Sequence, residues 1–139
     1  MNGPTAAEID RPIDVVRRFC QAWTDDAATS ELASYFTDDA EYHNIPLAPV
    51  TGREKIAHNI DSFIRPGPPG IERIRFDVVN IASNGPIVMT ERVDTFTVSD
   101  RRFSLRVMGV FEIADGLITA WRDYFDANQF ATAMGDPST

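Results

Sequence analysis

Residues 86–125, PIVMTERVDTFTVSDRRFSLRVMGVFEIADGLITAWRDYF, decide how the chain folds. Three runs within it, 86–98, 102–113 and 117–125, read at the period of two that a pleated strand requires. The turns between them are short. Ser99–Asp100 makes the first, and Asp115–Gly116 the second, an Asp-Gly pair of the kind that closes tight hairpins. A fourth strand-like run, about 71–81, comes before them and is separated by Ser83–Asn84–Gly85–Pro86. Four strands in succession predict an antiparallel meander.

Upstream of residue 71 the period changes from two to that of a helix. A first helix is expected to start at Asp10 as N-cap, with Pro12 in its first turn and Ile13, Val16, Phe19 and Trp23 on one face. A second, short helix carries Leu32, Tyr35 and Phe36, with Thr29 or Ser30 as its cap. A short strand from Ala40 to Ile45 ends against Pro46 and Pro49. Gly52 then opens a third helix with Ile56, Ile60, Phe63 and Ile64. The segment Arg65–Gly70 holds consecutive prolines and must be a loop. A last short helix is expected around Phe130 and Met134, and residues 1–10 read as a loose arm. Helices first and a meander afterwards predict an α+β fold built as one domain over 1–139, its sheet mostly antiparallel. Such a sheet, curved around the helices, would make a cone with one internal pocket, although periodicity carries no information on curvature.

Composition narrows the partners. Hydrophobic residues make up 43% and charged residues 24%, an ordinary globular balance. A formal net charge of −8 argues against nucleic acid or an anionic membrane, either of which needs a basic face. The one local basic group, Arg101, Arg102 and Arg106, straddles a turn and is expected to be solvated. No apolar stretch approaches the roughly 20 residues that span a bilayer. The first ten residues have neither the basic nor the apolar part of a secretion signal, and Cys20 is the single cysteine, so a cytoplasmic protein is expected.

Strand parity places three charges where apolar side chains belong. Arg92 and Asp94 share a face with Val88, Thr90 and Phe96, and Asp123 shares one with Thr119, Trp121 and Phe125. Charges on an apolar face are costly unless paired. For Arg92 and Asp94 a solvated ion pair on the outside of the sheet remains an open reading, because the opposite face carries Met89, Glu91, Val93, Thr95 and Thr97. Asp123, flanked by Trp121 and Phe125, is more telling. An Asp–Arg–Asp group in an apolar cavity suggests acid–base chemistry on a small apolar molecule. Tyr42 and Asn44 stand at i and i+2 on the short strand and face one direction together. Other chemistries lack support: no G-x-S-x-G, G-x-G-x-x-G or P-loop motif occurs, and His43 and His58 have no companion at metal-ligand spacing, so no metal or cofactor is expected.

Four stretches together resemble the limonene-1,2-epoxide hydrolases: Tyr42–Leu47 (YHNIPL), Thr90–Asp94 (TERVD), Gly109–Phe111 (GVF) and Trp121–Asp126 (WRDYFD). The similarity lies in order and spacing and runs from about residue 12 to residue 130. It implies the cone fold shared with nuclear transport factor 2, ketosteroid isomerase and polyketide cyclases, a homodimer, and an Asp–Arg–Asp catalytic group with a Tyr and an Asn that hold water. On this sequence these are Asp94, Arg92, Asp123, Tyr42 and Asn44. His43 lies between the two water-holding residues, and the loop at 65–70 borders the expected pocket. Asp123 would be the general base on water, Asp94 the general acid on the epoxide oxygen, and Arg92 the bridge between them. The implied substrate is a small apolar epoxide, terpene-like or a cycloalkene oxide, within walls formed by Val88, Leu105, Val107, Trp121 and Phe125. Two other readings stay open: an isomerase or cyclase using Tyr42 and the two aspartates, and a silent binding or dimerisation module on the same fold. The silent module requires Arg92, Asp94 and Asp123 to point to solvent or to separate places.

Overall fold

The computed structural model describes residues 11–64 and 70–135. Helix α1 (Pro12–Thr24) buries Val15, Val16, Phe19, Cys20 and Trp23. Its proline occupies the first turn as expected, but Arg11 holds the N-cap position, without a side-chain hydrogen bond. Asp10, expected there, lies outside the described residues, as do the arm 1–10 and loop residues 65–69. Helix α2 (Thr29–Ala33) is capped by Ala28, so neither Thr29 nor Ser30 is its cap. Thr29 instead turns its hydroxyl onto Asp61 of the third helix, 2.5 Å away. Phe36 also departs from expectation. It opens strand β1 (Phe36–Asn44), which begins four residues before Ala40 and closes at Asn44, not Ile45. The reason is Phe36's own burial: its ring meets Phe19 edge-on at 5.4 Å, a contact made from the sheet.

Two short elements follow. Strand β2 (Val50–Thr51) pairs antiparallel with β1 and is too short for its sequence to show a period. Helix α3 (Arg53–Phe63) starts after Gly52, whose φ of 100° is open to glycine at little cost. The meander then runs as β3 (Arg73–Asn84), β4 (Ile87–Val98), β5 (Arg101–Ala114) and β6 (Leu117–Tyr124), within a few residues of the predicted strands. Asp115 and Gly116 both adopt positive φ, 51° and 80°, as a two-residue hairpin of this sequence requires. Helix α4 (Ala127–Gly135) follows.

The six strands among the described residues form one sheet in the order β2-β1-β6-β5-β4-β3. Five consecutive pairings make it, of which β1 with β6 is parallel and the rest antiparallel. The sheet is therefore mixed, curved and unclosed, and its concave face holds α1. At the centre the Phe19 ring makes edge contacts with Trp23, Tyr35, Phe36, Phe111 and Trp121. Arg101 corrects one further expectation: it is not simply solvated but donates to the Ala133 carbonyl at 2.7 Å. A cation at the last carbonyls of α4 compensates the negative end of the helix.

Candidate active site

Strand β4 alternates as its sequence requires. Val88, Thr90, Arg92, Asp94, Phe96 and Val98 are buried, while Met89 and Glu91 on the other face are exposed. The parity that buries Val88 and Phe96 thus carries two charges inward. Arg92 is 0%, Asp94 3% and Asp123 4% exposed. Burial on this scale is tolerable only with full pairing, and the pairing is complete. Arg92 donates to Asp94 Oδ1 from Nε (3.0 Å) and to Asp94 Oδ2 from Nη2 (2.8 Å). It donates to Asp123 Oδ2 from Nη2 (2.8 Å) and to Asp123 Oδ1 from Nη1 (3.1 Å). Thr90 Oγ1 accepts the remaining bond from Nη1 at 3.3 Å. All five guanidinium N–H donors are used. The planar fork is what permits this, since a lysine has neither the span nor the geometry to grip two carboxylates side-on.

The parallel pairing of β1 with β6 brings in the other predicted pair. Tyr42 lies beside Trp121 and Asn44 beside Asp123. Tyr42 stacks on the Trp121 indole at 4.3 Å, and Asn44 Nδ2 donates to its hydroxyl at 3.0 Å. The five expected catalytic residues therefore converge. His43, between Tyr42 and Asn44, faces away and shares a hydrogen bond with the Leu47 carbonyl at 2.8 Å.

A cavity of about 430 Å³ opens above this group, within the range typical of small-molecule sites, roughly 300–1,000 Å³. Tyr42, Asn44, Asp94 and Asp123 line it together with Leu105, Val107 and Phe125. Two expected wall residues do not. Val88 is fully buried in the core, and Trp121, also fully buried, lies beneath the floor. Trp121 acts on the site in another way: its indole N–H donates to Asp123 Oδ1 at 2.7 Å and fixes that carboxylate. Walls beyond the expected set come from the helices and from β3 and β4, chiefly Trp23, Ile60, Phe63, Phe76, Phe96 and Phe130, of which Phe96 is the one that strand parity had placed on the face of Arg92 and Asp94. Phe76 also covers the guanidinium, with Arg92 Cζ 4.3 Å from its ring centre. No single-strand pattern signals such a contact; the one available hint is the apolar parity of Phe76 itself.

The electrostatics follow from burial and charge. Burial pulls Arg92 toward its neutral form, but the attraction of Asp123 and Asp94 outweighs it, and the guanidinium is held well above its ordinary value. Burial pushes the Asp94 carboxyl up to about 6, against the opposing pull of Arg92 and with help from the Asp123 charge. Asp94 thus retains a proton in the pH range where an ordinary aspartate has lost it. Burial and then the nearby Asp123 charge raise Tyr42 as well, so its phenol stays protonated and able to donate. Among the described residues no three His, Cys, Asp or Glu side chains are placed to share a metal ion, and no helix is long and apolar enough to cross a membrane.

Residues 10–135 match the limonene-1,2-epoxide hydrolase catalytic domain. The chain belongs to this family. Epoxide hydrolase EphG of Mycobacterium tuberculosis is 36% identical over 89 residues, 64% of this chain and 56% of that protein, so the match spans little more than half of the relative's length. The structure of an epoxide hydrolase from M. tuberculosis, described as like limonene-1,2-epoxide hydrolase, superposes with a TM-score of 0.72 at 28% identity, covering 88% of each chain. A protein from Catenulispora acidiphila with a ketosteroid isomerase-like fold superposes with a TM-score of 0.73 at 22% identity, covering 89% of this chain and 94% of that one. The last comparison shows the fold alone, and a shared fold does not carry an activity with it.

Proposed function

We propose that this member of the limonene-1,2-epoxide hydrolase family, working as one domain, adds water to a small apolar epoxide to give a vicinal diol in a single step. The observation that carries the reading is Arg92, buried and bonded side-on to both Asp94 and Asp123 at the floor of an apolar cavity. Epoxide opening by water needs a base for the weak nucleophile and an acid for the departing oxygen. Asp123, next to Tyr42 and Asn44, takes a proton from water as the water oxygen attacks one epoxide carbon. The C–O bond at that carbon breaks, and Asp94, which keeps its proton up to about pH 6, gives it to the epoxide oxygen. One proton and one guanidinium leave the group without net charge, in keeping with its burial. Arg92 Nη2 donates to Asp94 Oδ2 and Asp123 Oδ2, 2.8 Å from each, and offers a path for the proton to return after turnover.

The aromatic cavity walls favour an apolar ring-bearing epoxide, terpene-like or a cycloalkene oxide, as the substrate. We further propose a cytoplasmic homodimer. Met108 and Tyr124 pair across β5 and β6 on the outer face, and with Met89 they leave an exposed apolar patch suited to a second copy. An isomerase or cyclase on this fold would use an acid relieved of its cation, whereas Asp94 and Asp123 are each gripped by Arg92. The silent module needs the three charges dispersed, and they are bonded to one another.

The deciding experiment is single-turnover incubation with a panel of cyclic epoxides in ¹⁸O-labelled water. Label in the diol of the first turnover is expected. Unlabelled first product would mean that an enzyme oxygen was transferred, and the one-step mechanism would fall. Exchange of substrate α-protons with deuterated water, without diol, would point to the isomerase.

A further inference from the structure

Arg92 stands on β4 and Asp123 on β6, with β5 between them. Two strand spacings separate these backbones by roughly 9.5 Å. The guanidinium can therefore reach Asp123 only by lying across β5. The β5 residue in the way is Gly109, which pairs with Thr90 on one side and with Asp123 on the other. A Cβ at Gly109 would stand 2.5 Å from Arg92 Nη1, 2.8 Å from Asp123 Oδ1 and 2.8 Å from Thr90 Oγ1. No side-chain carbon sits that close to its neighbours. The backbone at Gly109 does not lie in the left-handed region, unlike Gly52, Gly85 and Gly116, so its conformation does not call for glycine. Glycine inside a strand otherwise weakens it, and marks a place where something must approach the backbone closely.

The three groups cannot simply step aside. Arg92 Nη1 is bonded to both Thr90 and Asp123, Trp121 holds Asp123 from below, and the Phe76 ring covers the guanidinium. We infer that Gly109 is a positioning residue: its bare backbone is the passage through which Arg92 crosses β5 to hold Asp123 in line with Asp94. The geometric part of this inference stands by itself, and its consequence for turnover rests on the hydrolase reading.

Gly109→Ala tests it with two independent readouts. The chain has 2 tryptophans, Trp23 and Trp121, so its indole N–H region in a ¹⁵N-resolved NMR spectrum is simple to assign. The expected result is a shift of the Trp121 indole resonance, which reports the bond to Asp123, with Trp23 little moved. On a cyclic epoxide kcat should fall about a hundredfold while KM changes little, the usual cost of displacing a reacting group by about 1 Å. An unmoved Trp121 resonance overturns the inference whatever the activity does, and so does wild-type kcat. If the unsubstituted protein opens no epoxide, the hydrolase reading fails and the indole resonance still decides on Gly109. If Gly109→Ala does not fold, the same change is made in a Thr90→Ala, Arg92→Ala, Asp94→Asn, Asp123→Ala background, which removes all three groups that a Cβ would meet. Recovery of folding there, judged by melting temperature against the same background with glycine, supports the passage. Failure there as well would make Gly109 a requirement of the sheet itself and overturn the inference.

Discussion

Two neighbouring strands carry the same local arrangement of charge with opposite outcomes. Arg75 and Asp77 on β3 stand at i and i+2 and form a pair at 2.9 Å, as Arg92 and Asp94 do on β4 at 2.8 Å. The β3 pair lies on the outer face, with side chains 57% and 45% exposed, and water screens it. Asp77 pairs in register with Val93, and Asp94 with Phe76, so the two motifs are offset by one residue and face opposite ways. A one-residue change of parity separates a solvated ion pair from a buried one. Parity is not sufficient, however. The buried pair also has a second carboxylate, Asp123, brought from β6, and a hydroxyl, Thr90, to take the last donor. Arg-x-Asp spacing therefore has no meaning for function until its face and its third partner are known.

The strongest way to break this contrast is to substitute both motifs and measure turnover. Asp123→Asn and Asp94→Asn should each lower kcat/KM by about 10²–10⁴-fold or more with the fold retained, and Arg92→Lys should be comparably severe. A robustly active Asp123→Asn variant would remove Asp123 from its assigned role. Stability gives the next effect. Arg92→Ala strands two buried carboxylates and should cost about 3–5 kcal/mol by urea titration. Thr90→Val, which leaves one guanidinium N–H unpaired, should cost about 1–3 kcal/mol.

A pH series separates the two motifs further. Folded Asp94 holds its proton up to about pH 6, whereas the unfolded chain releases it near 3.8. The folded state therefore binds the extra proton between these values, and stability is lost as pH rises from about 4 to about 6. The melting temperature should fall by several degrees over that range, and Asp94→Asn should flatten the fall. Persistence of the same fall in Asp94→Asn would assign it elsewhere. Smallest of all, Arg75→Ala or Asp77→Ala should barely move the urea midpoint, and less again at high salt, because water screens this pair. Turnover should stay as in the unsubstituted protein. A large loss at either position would mean that the outer face does more than carry charge.

Much of this is legible along the chain. Period two marks β3 to β6, Asp115–Gly116 marks a hairpin, and the apolar neighbours Trp121 and Phe125 point Asp123 inward, whereas Arg92 and Asp94 share a face whose side the sequence leaves open. The helix caps differ from expectation because capping is settled by one or two side-chain bonds: Thr29 has a better partner in Asp61 than in its own helix. Trp121 reads as a wall because its parity is inward, but inward does not distinguish the surface of a cavity from the layer beneath it. The Arg101 contact with the end of α4 has no local signal at all, joining residues 32 apart in sequence.

Alternation of side chains along each strand specifies which residues share a face, and so the amino-acid order put Arg92 with Asp94, Asp123 with Trp121, and Tyr42 with Asn44, but only the folded sheet decided that the face of Arg92 and Asp94 is the inner one. Alternation says nothing about which strand lies beside which. The parallel union of β1 with β6 sets Asn44 against Asp123, and the placing of β5 between β4 and β6 makes Arg92 reach over Gly109. The cavity, too, is assembled from α1, α3 and α4 closing over the sheet. These are long-range pairings, chosen by the packing of the whole core, and no window of sequence contains both partners.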